Sequence, residues 1–461
     1  LDSVEIPGTV TNIGDYAFFN NKKLSTNLNN GTKTIGNYAF YGCSSLDNQT
    51  FPASVTSIGN YAYNGCTSFT EINLPSNIQS IGDYAFGGCN KVQKIQIEEG
   101  LKTIGSGAFL DINKVTKLII PTTVTSMGSG LFSGMSALEE LTIPFVGRDK
   151  NIYTTTSSLP PFYTSSSYEQ YRHYPLGYMF GTSSYTGGTA VVQYYSMDYL
   201  KNGTYTTYEV ATSDTYYIPS TLKTVNITNS TYIFSDALSY FYSNSTSTTN
   251  ASANSLNITS ISLNEGIKNI GKNAFASINT YSSNYISNTN YQNKYSILEN
   301  INLPSTLISI EYGAFYNCQK LDSVEIPGTV TNIGDYAFWR CLAAKINVLK
   351  QSTNITVSQN TFTNVPSVKY FDYYSYTNGN NTFYYNVINE ESIITKTVTT
   401  NTALTLPTTL GEYTVTKVAN MGVANCTSLT SIVIPANIVE LGDYAFSGCT
   451  GLTTVTIPAT C

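Results

Sequence analysis

Eight cysteines, one histidine and a thin scatter of carboxylates are the side chains of this sequence that could do chemistry. Cys43, Cys66 and Cys89 follow one another at intervals of 23 residues, as do the pairs Cys318–Cys341 and Cys426–Cys449. The pattern is not a metal signature, because it contains no CxxC and His173 is the only histidine. Cysteines one period apart would stack about one inter-strand spacing (~4.8 Å) apart with parallel Cβ vectors, which suits a disulfide poorly. They are expected as reduced, buried thiols that pack as small hydrophobes; Cys461 lies off this register. His173 sits between Arg172 and Tyr174, where a catalytic triad would have to be built on a long insertion, and is expected as an exposed polar residue. The adjacent carboxylates Glu139–Glu140 and Glu390–Glu391 would point to opposite faces of a strand, which does not suit acid–base work. The glycines of GSGLFSG (128–134) fall at repeat positions, and no GxxxxGK[ST], HExxH or GxSxG is present. The expectation is no enzymatic activity, no catalytic residues, no metal and no cofactor.

The elements that position these residues are repeats. LDSVEIPGTVTNIGDYAF occurs identically at residues 1–18 and 321–338, with looser copies beginning at Phe69, Leu298 and Leu429. Ile13, Ile35, Ile58, Ile81, Ile104 and Met127 mark the phase at steps of 23 residues, with one step of 22, and each is followed by glycine, the first being Gly14. Leu-x-x-Val-x-Ile reads as a short strand with one apolar face, and the following proline stops ladder pairing. A second apolar pair, Val10 and Ile13, makes a short return strand, and Gly14 permits the bend after it. Asp15, Asn37, Asn60, Asp83, Asp335 and Asp443 stand where an N-cap belongs, ahead of a helical turn carrying Tyr-Ala-Phe. In that turn Ala17 is small for the approach of the next coil and Phe18 fills the space between coils. One unit cannot bury its own apolar face, so the units must stack into a solenoid.

The pattern C-x-x-L-x-x-[VI]-x-[IL]-P-x-x-[VI]-x-x-I-G-x-Y-A-F-x-x-C resembles the 23-residue leucine-rich repeat of BspA-like surface proteins, in about ten copies over roughly half of the chain. The resemblance implies a β-rich leucine-rich-repeat solenoid, right-handed, of short strands and short helical turns. It also implies secretion or surface display and adhesion to proteins of a host or neighbouring cell, and it brings no catalytic residues.

Breaks in the period divide the chain. The expected order is array 1 (1–144), a Tyr-rich insertion (145–216), array 2 (217–366, with loops at 239–257 and 279–296), a hairpin-like interruption or lead-in (367–402) and array 3 (403–461). The insertion is too aromatic for a disordered linker; Val191–Tyr195 and Tyr205–Val210 alternate like strands, and it reads as a hairpin-rich excursion packed on the solenoid. Asn378–Gly379 marks a second hairpin.

Composition narrows the partners. Charged residues are 11% of the chain, the net charge is −6 and tyrosines number 38, a neutral hydrogen-bonding surface with no footprint for nucleic acid. No apolar run is long enough to span a membrane. Outward strand positions such as Glu71, Asn73, Lys94, Gln96, Ser323 and Glu325 are polar and mixed in sign, without aromatic anchors. The anchors lie in the insertions: Tyr163, Tyr168, Tyr171, Tyr174, Tyr178, Tyr194, Tyr195, Tyr199, Tyr373 and Tyr374 are the candidate binding residues, and packing on the solenoid's edges is their alternative use. The expectation is an extracellular, cell-surface protein that adheres to a protein or glycan of a host or neighbouring cell. The alternative is a self-associating subunit of an extracellular filament or surface layer, since both ends stop within a repeat; those ends also read as those of a piece of a longer protein.

Overall fold

The computed structural model describes residues 2–151, 153–155, 172–201, 204–241, 256–278, 296–350, 355–358, 360–388 and 390–461. Each 23-residue unit forms one three-sided coil. On the first side, strand Glu71–Leu74 buries Ile72 and Leu74 and turns Glu71 and Asn73 outward, paired in parallel and in register with Lys94–Ile97 of the next coil. The proline that ends this side also starts a turn: the Pro75 carbonyl accepts from the Ile78 N–H at 3.1 Å. The second side is a two-residue strand. Asn12–Ile13, Thr34–Ile35, Ser57–Ile58, Ser80–Ile81, Thr103–Ile104 and Ser126–Met127 pair in parallel in that order, each burying its last residue. From Gly36 onward the glycine after each marker answers a close approach rather than a left-handed backbone: a Cβ on Gly82 would lie 2.5 Å from the Asn60 amide nitrogen of the preceding coil, whereas one on Gly14 in the first coil would meet nothing.

The third side departs from the expected helical turn. Its N–H groups alternate between their own coil and the next. Ala39 and Tyr41 donate to the carbonyls of Gly36 and Tyr38, while Tyr38, Phe40 and Gly42 donate at 2.8 Å to Asn60, Ala62 and Asn64. This geometry needs two left-handed residues per turn, such as Tyr38 (φ 55°) and Gly42 (φ 69°). The expected N-cap is accordingly not made. Asp83 Oδ1 accepts instead from the Ser106 N–H of the next coil at 2.7 Å, and Asn37 and Asn60 do the same for Asn60 and Asp83 at 2.8 Å. Inside this side Ala39, Ala62, Ala85 and Ala108 are fully buried, and Phe40, Tyr63 and Phe86 stack face to face with centroids 5.0 and 5.5 Å apart. Further along, Tyr316 stacks on Trp339 at 4.6 Å.

One apolar core runs from Ile6 to Val348, and a second from Phe383 to Cys449. The insertion is carried as a long antiparallel hairpin, Gly188–Lys201 with Thr204–Pro219, bulged between Tyr194 and Ser196. The first-side ladder bypasses it, because Glu140–Ile143 pairs directly with Thr224–Ile227. The third side does not. The 3₁₀ turn Leu176–Met179 takes the place of a coil there: its Tyr178 and Met179 carbonyls accept at 2.8 Å from the N–H groups of Gly130 and Phe132, and the Leu176 N–H donates to Ala237. The expected excursion is thus partly a rung of the solenoid itself, with Leu176, Met179 and Phe180 in the core.

A second hairpin exchanges the ladders. First-side strand Lys345–Lys350 pairs with Ser367–Asn378, which turns at left-handed Gly379 into Asn381–Ile388 and then Glu391–Thr399. That last strand joins Tyr413–Val418, which continues into Glu440–Leu441, a second-side position. The second core is thereby brought against the first-side face of residues 260–349. The Asn420 Nδ2 donates to Asn302 Oδ1 at 3.2 Å across the junction, beside a polar cleft of about 680 Å³.

Candidate functional site

Tyr16, Tyr38, Tyr61 and Tyr84 occupy the first left-handed position of successive turns, with φ of 54–57°. Their side chains leave the coil on the outer face and stack ring on ring, with centroids 4.8, 4.7 and 4.8 Å apart and planes within 16° of parallel. The spacing is that of the strand ladders beneath them. The next two residues at this position are Gly107 and Gly130, both with φ of 59°. The backbone conformation continues while the rings stop. Tyr84 leans over Gly107, where a Cβ would lie 2.5 Å from its Cε1.

The vacated space is a slot of about 350 Å³ between the solenoid and the insertion. Gly107, Gly130 and Gly181 form part of its lining, and a Cβ on Gly181 would lie 3.1 Å from the Gly130 Cα, so the insertion backbone is close-packed there. Tyr84 stands at the end next to the ladder, and Tyr174, Tyr178, Tyr195 and Tyr216 line the insertion side. Tyr174 contacts Tyr178 and Tyr195 at centroid distances of 4.4 and 5.3 Å, and the Arg148 guanidinium lies 5.1 Å from the Tyr174 ring. Polar groups are in place as well. Tyr216 Oη donates to Tyr195 Oη at 2.9 Å, and Tyr195 Oη donates to the exposed carboxylate of Asp214. Burial and that carboxylate push the Tyr195 phenol up to about 12, so it stays a donor at neutral pH.

Of the candidate tyrosines, Tyr174, Tyr178 and Tyr195 meet in the slot. Tyr199 is buried at 3% exposure, and Tyr194 packs on the other side of the hairpin against Ala276 and Ile278. Tyr374, 43% exposed, lies in the second hairpin stacked on Tyr385 at 5.5 Å. Tyr373 is in the same strand, and its side chain lies outside the described residues. Tyr163, Tyr168 and Tyr171 lie outside them altogether, as do most of the two loops expected in array 2. Tyr84, Tyr216, Asp214 and the two glycines were missed by sequence reasoning. The signal was present, since Tyr16, Tyr38, Tyr61, Tyr84, Gly107 and Gly130 align when the chain is written at its period.

The reactive residues are placed as follows. His173 is not the exposed residue expected. It is buried, stacked on Phe234 at 3.6 Å with Nε2 3.0 Å from the Asp198 carbonyl, and burial lowers its pKa; its backbone pairs with Ser196 of the hairpin, which draws the ring inward. The repeat cysteines are buried and unbridged. In the first array each thiol donates back to a turn carbonyl of the preceding coil, Cys43 to Phe18 at 3.1 Å and Cys89 to Tyr63 at 3.3 Å, and burial pushes these two thiols up to about 11 and about 12. Among the described residues no group of three His, Cys, Asp or Glu could hold a metal ion, and no helix is long and apolar enough to cross a membrane.

Parallel ladders on a 23-residue coil, almost no helix among the described residues and an apolar core continuous from Ile6 to Val348 define a leucine-rich-repeat solenoid. The chain belongs to the BspA-type leucine-rich repeat family, whose repeat-region model matches residues 1–86, 33–159, 284–404 and 415–461 in six copies. Similar solved structures include a leucine-rich cell surface protein from Faecalibacterium prausnitzii, 21% identical over 80% of this chain and 79% of that one, with a TM-score of 0.31. The leucine-rich repeat protein of T. pallidum is 29% identical over 30% of this chain and 68% of its own, with a TM-score of 0.29. The pneumococcal vaccine antigen PcpA is 17% identical over 80% and 84%, with a TM-score of 0.28. No curated protein matches the chain.

Proposed function

We propose that this chain is a non-enzymatic repeat protein displayed outside the cell, at its surface, and that it adheres to a protein or glycan of a host or neighbouring cell through the tyrosine-lined slot. The observation that carries this reading is the convergence of Tyr84 from the solenoid with Tyr174, Tyr178 and Tyr195 from the insertion around one concavity. Tyrosine supplies a large rigid contact area at low entropic cost, and such anchors dominate binding energies. The outward strand positions Glu71, Asn73, Lys94 and Gln96 offer no comparable anchor. Membership of a surface-protein repeat family supports the extracellular setting.

The test is binding of fluorescently labelled full chain to fixed epithelial cells and to whole bacteria, read by flow cytometry. A Tyr174→Ala/Tyr178→Ala double variant, shown folded by circular dichroism, is expected to lose most of the bound signal. A folded double variant that stains cells as brightly as the parent removes the slot from the reading.

A further inference from the structure

The slot's chemistry points to one kind of occupant. Tyr38 and Tyr61, inside the tyrosine ladder, have both faces covered by neighbouring rings, which leaves only edges for a ligand. Tyr84 differs. Tyr61 covers one face, while on the other side the Cδ1–Cε1 edge rests over Gly107 and the ring borders the slot, because the next two ladder positions carry no side chain. A ring-shaped ligand placed there would continue the stack.

Volume and polarity narrow the ring. About 350 Å³ lies at the lower end of ligand sites, room for a single ring rather than a folded peptide segment. The rim carries Asp214, Ser129, Thr182 and Ser183, all exposed, with the Tyr195 and Tyr216 hydroxyls deeper in. An aromatic side chain would desolvate these groups without pairing them, which costs binding energy. A nucleotide would bring phosphate toward the Asp214 carboxylate in a chain of net charge −6, and the nearby Arg148 is already paired with Asp149 at 2.6 Å. A pyranose satisfies both requirements. Its axial C–H face packs on a tyrosine ring, and its hydroxyls donate to a carboxylate and exchange hydrogen bonds with hydroxyls.

We propose that the slot binds one neutral pyranose ring of a glycan, packed against the slot side of Tyr84 and oriented by Asp214. This rests on the adhesion reading above and narrows its ligand from protein or glycan to glycan. The labelled full chain is applied to an array of immobilised oligosaccharides ending in glucose, galactose, mannose, N-acetylglucosamine or N-acetylgalactosamine, beside sialylated counterparts. Binding to at least one neutral terminus is expected. Tyr84→Leu and Asp214→Asn should each weaken it by about tenfold or more. Tyr16→Leu, at the same ladder position three coils away, should leave it unchanged, with thermal melts confirming that all variants fold.

Capture of no neutral glycan, or of sialylated termini alone, overturns the proposal. So does a Tyr84→Leu variant that binds no worse than Tyr16→Leu. Retention of cell binding without any glycan binding leaves adhesion standing and removes the pyranose, whereas loss of both removes both.

Discussion

The ring of Tyr63 lies flat on that of Phe40, with centroids 5.0 Å apart and planes 6° from parallel. Both are fully buried, but Tyr63 brings a hydroxyl into the core that has no hydrogen-bond partner among the described residues. The equivalent residues of other coils are Phe18, Phe86, Phe109 and Phe132. A buried, unsatisfied hydroxyl costs about 1–3 kcal/mol. Tyr63→Phe should therefore stabilise the protein by about 1 kcal/mol or more, seen as a higher urea midpoint. A lower midpoint would show that the hydroxyl is satisfied in solution.

Asn60 ties two coils together with a side chain. Its Oδ1 accepts from the Asp83 N–H at 2.8 Å, and Asn60→Ala leaves that donor without its protein acceptor. The expected loss is about 1 kcal/mol. Because the ladder links the coils of the first array chiefly to their neighbours, hydrogen exchange should quicken at the Asp83 amide and its surroundings while amides near Leu321 stay protected. Uniform acceleration along the chain would contradict a nearest-neighbour account.

Glu325 lies in the polar cleft where the second core meets the first-side face. Burial raises its pKa to about 7, partly opposed by Lys417. The folded state therefore binds this proton more tightly than the unfolded chain, whose value is near the ordinary 4.5. That contribution to stability is fully present below about pH 4.5 and is lost as pH rises through about 7. Glu325→Gln should match the parent at pH 4 and exceed it at pH 8 by on the order of 1–3 kcal/mol. Melting curves at the two pH values check this; an equal difference at both would exclude titration as the cause.

The periodic part of this fold was legible in the sequence, and the contacts that repeat only once were not. Ile13, Ile35 and Ile58 could be placed on one ladder because the same apolar residue returns at a fixed step. The turn carrying Tyr16 and Tyr38 is not the helical one its sequence suggests, because local preference disfavours tyrosine at positive φ and inter-coil bonds override that preference. The position of His173 is illegible for a different reason: its burial depends on Phe234 and Ser196, which lie in separate segments and follow no period. The slot combines both cases. Its Tyr84 and Gly107 end is periodic and could have been read, whereas its Tyr174 and Asp214 side depends on how the insertion folds back.

The Tyr316–Trp339 stack has an optical consequence. Trp339 is the only tryptophan in the chain, so all indole emission comes from one junction between coils. The tyrosine rings around the slot are silent when the indole band is excited. The protein thus carries its own fluorescent label at a single address in its later coils. The wavelength of that emission reports when water reaches this junction, without attaching any dye.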